Sequence, residues 1–139
     1  MDNLAQFKLE LDRFMDKVED EVAVTTRNIS AAAFDRVVKF SPIVTGSFIS
    51  SNRIGVDAID ITNNPISELT PIPRPSAEAI AYAQLGKLAA VKPYCVVYVS
   101  NSIGHAETVE YGGMWGSAKI IPHAPYRKAY ESVKTMYGL

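Results

Sequence analysis

Cysteine and long apolar runs are scarce in this sequence. One cysteine occurs among 139 residues, and a single cysteine cannot form a disulfide within its own chain. We interpret Cys95 as a small buried side chain in a strand of a protein made in a reducing compartment. No apolar stretch approaches the roughly 18 residues that cross a bilayer, and no basic region followed by an apolar run begins the chain. We therefore expect neither export through a signal peptide nor insertion into a membrane.

An excess of charge of one sign is also absent. The formal net charge is −1, so we expect no electrostatic attraction to nucleic acid and no sequence-specific nucleic-acid partner. The charges are nevertheless unevenly distributed. Residues 2–21 contain seven acidic and three basic side chains, whereas residues 119–139 contain four basic and one acidic. This distribution is typical of ordinary solvated faces, and it is also compatible with head-to-tail contact between copies.

Histidine is rare too, and the two present do not form a recognisable metal motif. His105 and Glu107 match the H-x-E of zinc-dependent nucleobase deaminases, but that chemistry needs two downstream cysteines, and Cys95 lies upstream. A looser set would combine His105, Glu107, Glu110 and His123. Two glutamates three residues apart are, however, ordinary on the solvent face of a helix. We predict no metal-binding residue.

The patterns of nucleophilic and phosphate-binding sites are also missing. Ser47, Ser50 and Ser51 have no partners arranged as in a catalytic triad. The glycine pair Gly112-Gly113 follows a helical pattern and does not open one, so it does not form a phosphate-binding loop. We therefore predict no catalytic residue, no cofactor-binding residue and no cofactor.

The most extended pattern present is an apolar stripe in the first 40 residues. Apolar side chains recur at intervals of three and four, and neither Gly nor Pro occurs between Asp2 and Ser41. The pattern predicts one long helix over residues 1–40, ended by Pro42. About 36 helical residues would span roughly 54 Å, so part of the helix should project from a domain of this size. The β-branched run from Val24 to Thr26 is a weak point where the helix could bend or break.

The segment from Tyr94 to Gly113 is the predicted centre of the fold. Val96 to Val99 form a nearly continuous β-branched and aromatic run, which is typical of a central strand covered on both faces. A short helix is predicted from Ile103 to Tyr111, and the glycine pair that follows tolerates the positive φ of a helix end.

The remaining segments complete a single α+β domain over residues 1–139. The sequence predicts a first strand over Phe48–Val56, an exposed Pro-rich loop over residues 59–75 that orders against a neighbour, and a helix from Ser76 towards Pro93. A C-terminal helix follows from Tyr126 onward, because apolar residues again repeat at three and four. The predicted architecture is a long N-terminal helix, a small mostly antiparallel sheet and a C-terminal helix packed on the sheet.

Three short strings, considered together, resemble a known family. They are Pro42-Ile43-Val44-Thr45-Gly46-Ser47-Phe48, then Val97-Tyr98-Val99-Ser100-Asn101 continuing to Glu110-Tyr111-Gly112, and Ala124-Pro125-Tyr126 continuing to Ala129. Their order and spacing are similar to the signatures of phage tail-completion and head–tail joining proteins, including the minor tail protein Z type. Three features depart from the family pattern: His105 replaces an aromatic residue, Ile49 replaces a basic one, and the Pro-rich loop is longer.

The resemblance implies a structural virion protein without enzymatic activity, made in the host cytoplasm and located in the tail or neck. It implies a homo-oligomeric ring of six copies between the tail tube or terminator and the head–tail connector or portal. The matching residues, which are the candidates for the family motif or an interface, are Thr45, Gly46, Phe48, Asn101, Glu110, Tyr111, Gly112, Pro125 and Tyr126.

Two readings of these motif residues stay open. In the first, Thr45-Gly46 begins the first strand sharply, Asn101 ties the strand end to the following helix, and Glu110 to Gly112 closes that helix at a subunit boundary. In the second, the same residues are turns and caps within one monomer. The alternative function is a non-viral cytosolic adaptor that binds partners through its long amphipathic helix.

Overall fold

The computed structural model describes residues 3–115 and 117–139, and its dominant element is helix α1 (Asn3–Phe40). The predicted long helix is therefore confirmed. It runs without interruption through Val24–Thr26, where Thr26 donates a hydrogen bond from Oγ1 to the carbonyl of Val22 (2.8 Å). The break considered for this segment is absent, because the helix continues through it.

The C-terminus of α1 is closed by a side chain from a distant segment. Arg74 donates hydrogen bonds to the carbonyl oxygens of Val38, Lys39 and Ser41 at 2.9–3.1 Å. The carbonyls of Val38 and Lys39 lie in the last turn, where the helix supplies no amide donors for them, and that of Ser41 lies just beyond it. A cation is also favourable at this end of the helix dipole. Pro42 follows directly, so the helix ends where the sequence predicts.

In residues 3–115 and 117–139, nine further elements follow α1. They are, in chain order, α2 (Ser47–Ser50), β1 (Asn52–Val56), α3 (Arg74–Tyr82), a 3₁₀ helix (Ala83–Ala90), β2 (Val97–Asn101), α4 (Ala106–Tyr111), β3 (Gly113–Trp115), β4 (Ala118–Ile120) and α5 (Pro125–Met136). β1 pairs antiparallel with β2 from Asn52 opposite Asn101 to Val56 opposite Val97. β3 and β4 form a second antiparallel pair. The α+β class, with small antiparallel sheets and a C-terminal helix, is confirmed.

The core lies between the C-terminal half of α1, strand β1 and helix α3. Its largest fully buried apolar side chains are Phe34 and Val38 of α1, Ile49 of α2 and Ile54 of β1. Ala77 and Ala81 of α3 are also fully buried, and their small side chains allow that helix to approach closely. Burying one large apolar side chain contributes about 1.5–3 kcal/mol, so this cluster supplies much of the stability of the fold.

The first strand is shorter than predicted. Residues 47–50 form the single turn α2, and the strand begins only at Asn52. The hydroxyl of Ser50 donates to the carbonyl of Gly46 (2.6 Å), a bond that a helical turn satisfies and a strand does not. The prediction of a strand from Phe48, based on alternating apolar and polar residues, is therefore wrong for residues 48–51. Thr45-Gly46 precedes a turn of helix and not a strand.

Strand β2 is not a central strand covered on both faces. In the part of the chain that the structure describes, it pairs only with β1. Tyr98 is 37% exposed, and Val96, just before the strand, is 53% exposed. Cys95 lies before the strand and is half-buried, not inside it. Alternate residues of the β-branched run, such as Val97 and Val99, pack against the core. An antiparallel strand pair can bury one face in this way while the other face stays exposed.

Three smaller boundaries also differ. α3 begins at Arg74, after Pro73, and not at Ser76. Pro75 fits the second helical position because the backbone amide of a residue in the first turn has no partner within the helix, and proline lacks that amide hydrogen. The predicted helix towards Pro93 becomes a 3₁₀ helix from Ala83. Helix α4 begins at Ala106, later than predicted, and ends at Gly112 with φ 78°, as the glycine predicted.

The Pro-rich segment has no regular secondary structure up to Pro73, and hydrogen bonds within the chain attach it to the body. Its ordering against a neighbour stays a prediction. The amide of Ile66 donates to Ser47 Oγ (2.7 Å), and the amide of Asn64 donates to Ser51 Oγ (2.9 Å). Further along, the amide of Ile72 donates to the carbonyl of Thr45 (2.9 Å). The loop is therefore attached to the segment around α2 at three points.

Candidate functional site

Four side chains from four elements meet where α5 contacts the sheet: Asn52 of β1, Asn101 of β2, Glu110 of α4 and Tyr126 of α5. We call them the clasp. Three belong to the motif residues identified in the sequence, and Asn52 does not. The clasp joins segments far apart in the chain, since Asn52 and Tyr126 are separated by 74 positions.

Asn52 occupies the centre of the clasp and is fully buried. Its Oδ1 accepts hydrogen bonds from Tyr126 Oη (2.7 Å) and Asn101 Nδ2 (3.0 Å). Its Nδ2 donates to the carbonyl of Ile49 (3.1 Å) and to Ser41 Oγ (3.4 Å). An amide offers two acceptor positions and two donor hydrogens, so every one of them is used.

Asn101 lies directly opposite Asn52 in the strand pair and ends β2. Its Nδ2 also donates to the carbonyl of Phe48 (2.8 Å), while its Oδ1 accepts from the amide of Ile103 (3.1 Å). The side chain thus supports the turn that follows the strand, as the motif reading expects. It also holds α2 against the strand pair, which that reading does not include.

Glu110 caps helix α5 from outside that helix. Its two carboxylate oxygens accept hydrogen bonds from the amides of Tyr126 and Arg127, each at 3.0 Å. The residue before the helix, Ala124, lies in left-handed conformation and has no side chain able to cap. A carboxylate at a helix N-terminus satisfies amides that lack intrahelical partners and complements the helix dipole. Pro125 fits the first position because it needs no such partner.

The phenol of Tyr126 is held in its neutral form. Burial raises the pKa of Tyr126 far above its ordinary value, and the charge of nearby Glu110 raises it further. The neutral hydroxyl keeps the proton that it donates to Asn52. The hydroxyl of Tyr126 therefore serves as a hydrogen-bond donor, and the donors and acceptors of the clasp satisfy one another.

Two motif glycines occupy positions that other residues would strain. Gly46 has φ 97°, and a Cβ there would lie 2.5 Å from Ile72 Cγ1. Gly112 has φ 78°, and a Cβ there would lie 2.8 Å from Pro122 Cδ. Both combine left-handed backbone with a close neighbour, so both require glycine.

The other motif residues lie around the clasp with different surroundings. Thr45 Oγ1 accepts a hydrogen bond from the amide of Ser47 (3.2 Å), which fixes the start of α2. The ring of Phe48 is buried and lies 6.3 Å from the ring of His105. Tyr111 stands apart, with 75% of its surface exposed, so the structure leaves it available to a neighbour.

Both histidines line a groove of about 270 Å³ beside the motif residues, together with Thr45, Gly46 and Phe48. Burial lowers the pKa of His105 below its ordinary 6.5. Within residues 3–115 and 117–139, no three His, Cys, Asp or Glu side chains are placed to hold a metal ion together. Glu110, one member of the looser metal set, is engaged at the start of α5.

A second feature lies at the opposite end of the molecule, in residues 3–22 of α1, which we call the spur. Every residue from 3 to 17 is exposed, and Ala23 is the first buried residue of the helix. The spur spans about 30 Å at 1.5 Å per residue. Its apolar stripe includes Leu4 (72% exposed), Phe7 (62%) and Phe14 (61%), so most of the surface of these side chains is open to solvent.

Sequence reasoning missed Asn52 and its neighbour Ser41. The only signal was a run of polar residues, Ser50 to Arg53, inside a segment that alternates like a strand. All four are buried. Nothing local distinguishes a buried asparagine from an exposed one at such a position, because its partners lie 49 and 74 residues away.

In the described part of the chain, no helix combines the length and apolar composition that a bilayer crossing needs. Comparison with family models, with curated proteins and with solved structures returns no match. The resemblance to phage tail-completion proteins therefore depends on the three motifs alone.

Proposed function

We propose that this chain is a structural subunit without enzymatic activity, which assembles with copies of itself into a ring at the head–tail junction of a tailed phage. The observation that carries the proposal is the spur, a helical extension of about 20 residues with an apolar stripe that its own body leaves uncovered. An isolated helix of this length is marginal in water, so a partner surface is expected to stabilise it.

The apolar side chains of the spur are large enough to drive association. Leu4, Phe7, Leu11 and Phe14 follow intervals of three and four residues and therefore share one face of the helix. Complete burial of one such side chain contributes about 1.5–3 kcal/mol. Four of them on one face would offset the loss of translational and rotational freedom that a specific contact costs.

The clasp also supports a structural role, through hydrogen bonds within one subunit. Three motif residues make hydrogen bonds within the chain: Asn101 and Tyr126 donate to Asn52, and Glu110 accepts from the amide of Tyr126. This favours the reading in which the motif holds the fold of one subunit, with Tyr111 as the motif residue facing outward. Such a rigid body suits a passive building block, which has to transmit force between the tail and the head and has no reaction to perform.

The resemblance supplies the finer part of the proposal. A ring of six copies would contact the tail tube or terminator on one side and the connector or portal on the other. The Pro-rich loop is a further candidate for contact with these neighbours, because its apolar residues Ile61 and Leu69 are 77% and 92% exposed. We place the protein in the virion tail or neck on the same basis.

Sedimentation and negative-stain microscopy of the purified chain test this proposal. We expect closed rings with a mass near six times 15.2 kDa at high protein concentration. The genes beside that of this chain are a second test, since a joining protein should lie among portal, capsid and tail-tube genes. A chain that stays monomeric and lies among unrelated genes would contradict the proposal and favour the adaptor that binds partners through α1.

A further inference from the structure

A second apolar surface lies on the body of the molecule, between α1 and α5. It is a groove of about 420 Å³ with Val99 of β2 among its lining residues. Its walls come from the two helices and include Ile29, Ala33 and Val37 of α1 and Ala129, Tyr130 and Val133 of α5. Tyr130 is 65% exposed and Leu139, which also lines the groove, is 71% exposed. The described chain therefore leaves an apolar groove open as well as an apolar spur.

The spur and the groove have opposite charge. Residues 3–22 contain six acidic and three basic side chains, the acidic ones being Glu10, Asp12, Asp16, Glu19, Asp20 and Glu21. The helix segments that form the walls of the groove have the reverse balance, and Lys134 is among the residues that line it. Residues 23–40 of α1 contain three basic side chains and one acidic one, and so do residues 125–136 of α5. Charges of opposite sign around two apolar surfaces favour their contact and fix its orientation.

The dimensions of the two surfaces also agree. The stripe from Leu4 to Phe14 is about 15 Å long, and the α1 wall from Ile29 to Val37 is about 12 Å long at 1.5 Å per residue. A helix packed against two others lies 8–10 Å from each axis, which brings its side chains into the groove between them.

The spur cannot reach the groove of its own molecule. α1 is one uninterrupted helix, so the spur extends along the axis of the same helix that forms a wall of the groove. Phe14 and Ile29 are about 22 Å apart along that axis. Folding the spur back would require breaking the helix, and the occupant must therefore come from another molecule.

We propose that the spur of one copy lies in the α1–α5 groove of the next copy. This inference depends on the proposed self-assembly and names the two surfaces that carry it. Each copy donates one spur and accepts another, so the contact is heterologous and repeats from copy to copy until a ring closes. Pairing of two spurs with each other is less favourable, because each has an excess of acidic residues.

Two charge substitutions test the inference by complementation. Phe7→Glu disables the spur and leaves the groove intact, whereas Tyr130→Glu disables the groove and leaves the spur intact. Both side chains are largely exposed, so both variants should keep the fold, which circular dichroism checks. We expect each variant alone to be monomeric at concentrations where the wild type assembles, with association weakened at least about 30-fold. Ile121→Glu, a matched change at a side chain 75% exposed outside both surfaces, should assemble like the wild type.

The mixture of the two variants gives the decisive result. The intact spur of the Tyr130→Glu chain should enter the intact groove of the Phe7→Glu chain, and no further copy can be added to this pair. We therefore expect a 1:1 heterodimer in sedimentation that grows no larger and weakens as salt is raised, because salt screens the complementary charges.

Other outcomes separate the two proposals. If spurs pair with each other, Tyr130→Glu will assemble like the wild type and the mixture will form no heterodimer, which refutes the groove contact and leaves self-assembly standing. A mixture that stays monomeric beside an assembling wild type also refutes the groove contact. A wild-type chain that is monomeric even at roughly 1 mM refutes self-assembly itself.

Discussion

The clasp should behave as a coupled unit, and the bond between Tyr126 and Asn52 is its most direct test. Tyr126→Phe removes the hydroxyl that donates to Asn52 Oδ1 (2.7 Å) and keeps the ring. Asn52 Oδ1 still accepts from Asn101 (3.0 Å), so no buried acceptor loses its last partner. We expect a loss of about 1 kcal/mol in the free energy of unfolding, the usual net value of one hydrogen bond.

Asn52→Ala is a harsher change at the same contact. It removes the acceptor for Tyr126 Oη and one of two acceptors for Asn101 Nδ2, and it leaves the hydroxyl buried without a partner. It also removes the two donors to Ile49 and Ser41. An unsatisfied buried hydroxyl costs about 1–3 kcal/mol in addition to the lost bonds, so we expect a total loss of about 3–4 kcal/mol.

The double variant distinguishes coupling from two separate effects. In Asn52→Ala with Tyr126→Phe there is no hydroxyl left to bury unsatisfied, so the combined loss should fall short of the sum by about 1–2 kcal/mol. Urea unfolding followed by circular dichroism measures each term, at low protein concentration so that assembly adds little. Tyr130→Phe removes an exposed hydroxyl from the same helix and should change stability by less than about 0.5 kcal/mol. Additive losses would show that Tyr126 and Asn52 do not share a bond.

Three further substitutions test other parts of the fold. Gly46→Ala should destabilise by about 2–4 kcal/mol in urea unfolding, because it adds a clash to left-handed backbone, whereas Gly86→Ala meets open space and should be neutral or slightly stabilising. The hydrogen bond from Lys87 lowers the pKa of Asp60 well below its ordinary 3.8. The stability that this pair contributes to the fold is therefore present above pH 3.8 and is lost on further acidification, and Lys87→Met should reduce this loss of stability in acid. Burial raises the pKa of Tyr82 to about 12. The contribution of neutral Tyr82 to the free energy of unfolding is therefore complete below pH 10 and falls as the pH rises towards 12, and Tyr82→Phe should reduce this fall.

The long helix α1 and the end of α4 were predictable because their signals are local. The stripe that begins at Leu4 repeats every three or four residues along α1, and Pro42 marks its end. The glycine after Tyr111 predicted the end of α4, since left-handed backbone at a helix end is a property of the residue itself. Features of this kind need no knowledge of what packs against the segment.

The strands and the clasp were less predictable because they depend on distant partners. β2 has the composition of a central strand, but only the three-dimensional arrangement shows that a single strand pairs with it. Ser47 and Ser50 form hydrogen bonds to Thr45 and Gly46 that place the segment before β1 in a helical turn. The alternation of apolar and polar residues in the same segment predicts a strand. The central place of Asn52 follows from residues on two other elements, so a single sequence gives no sign of it.

Tyr126 connects the internal clasp with the proposed surface of assembly. Its hydroxyl bonds to Asn52 inside the clasp, while the residue also lines the groove between α1 and α5. Glu110 fixes the first turn of α5, and Asn52 reaches Ser41 just beyond the end of α1. The clasp therefore sets the position of one groove wall relative to the other. A motif whose bonds are all internal can in this way determine how copies meet, because the groove has its shape only while α5 is held against the sheet.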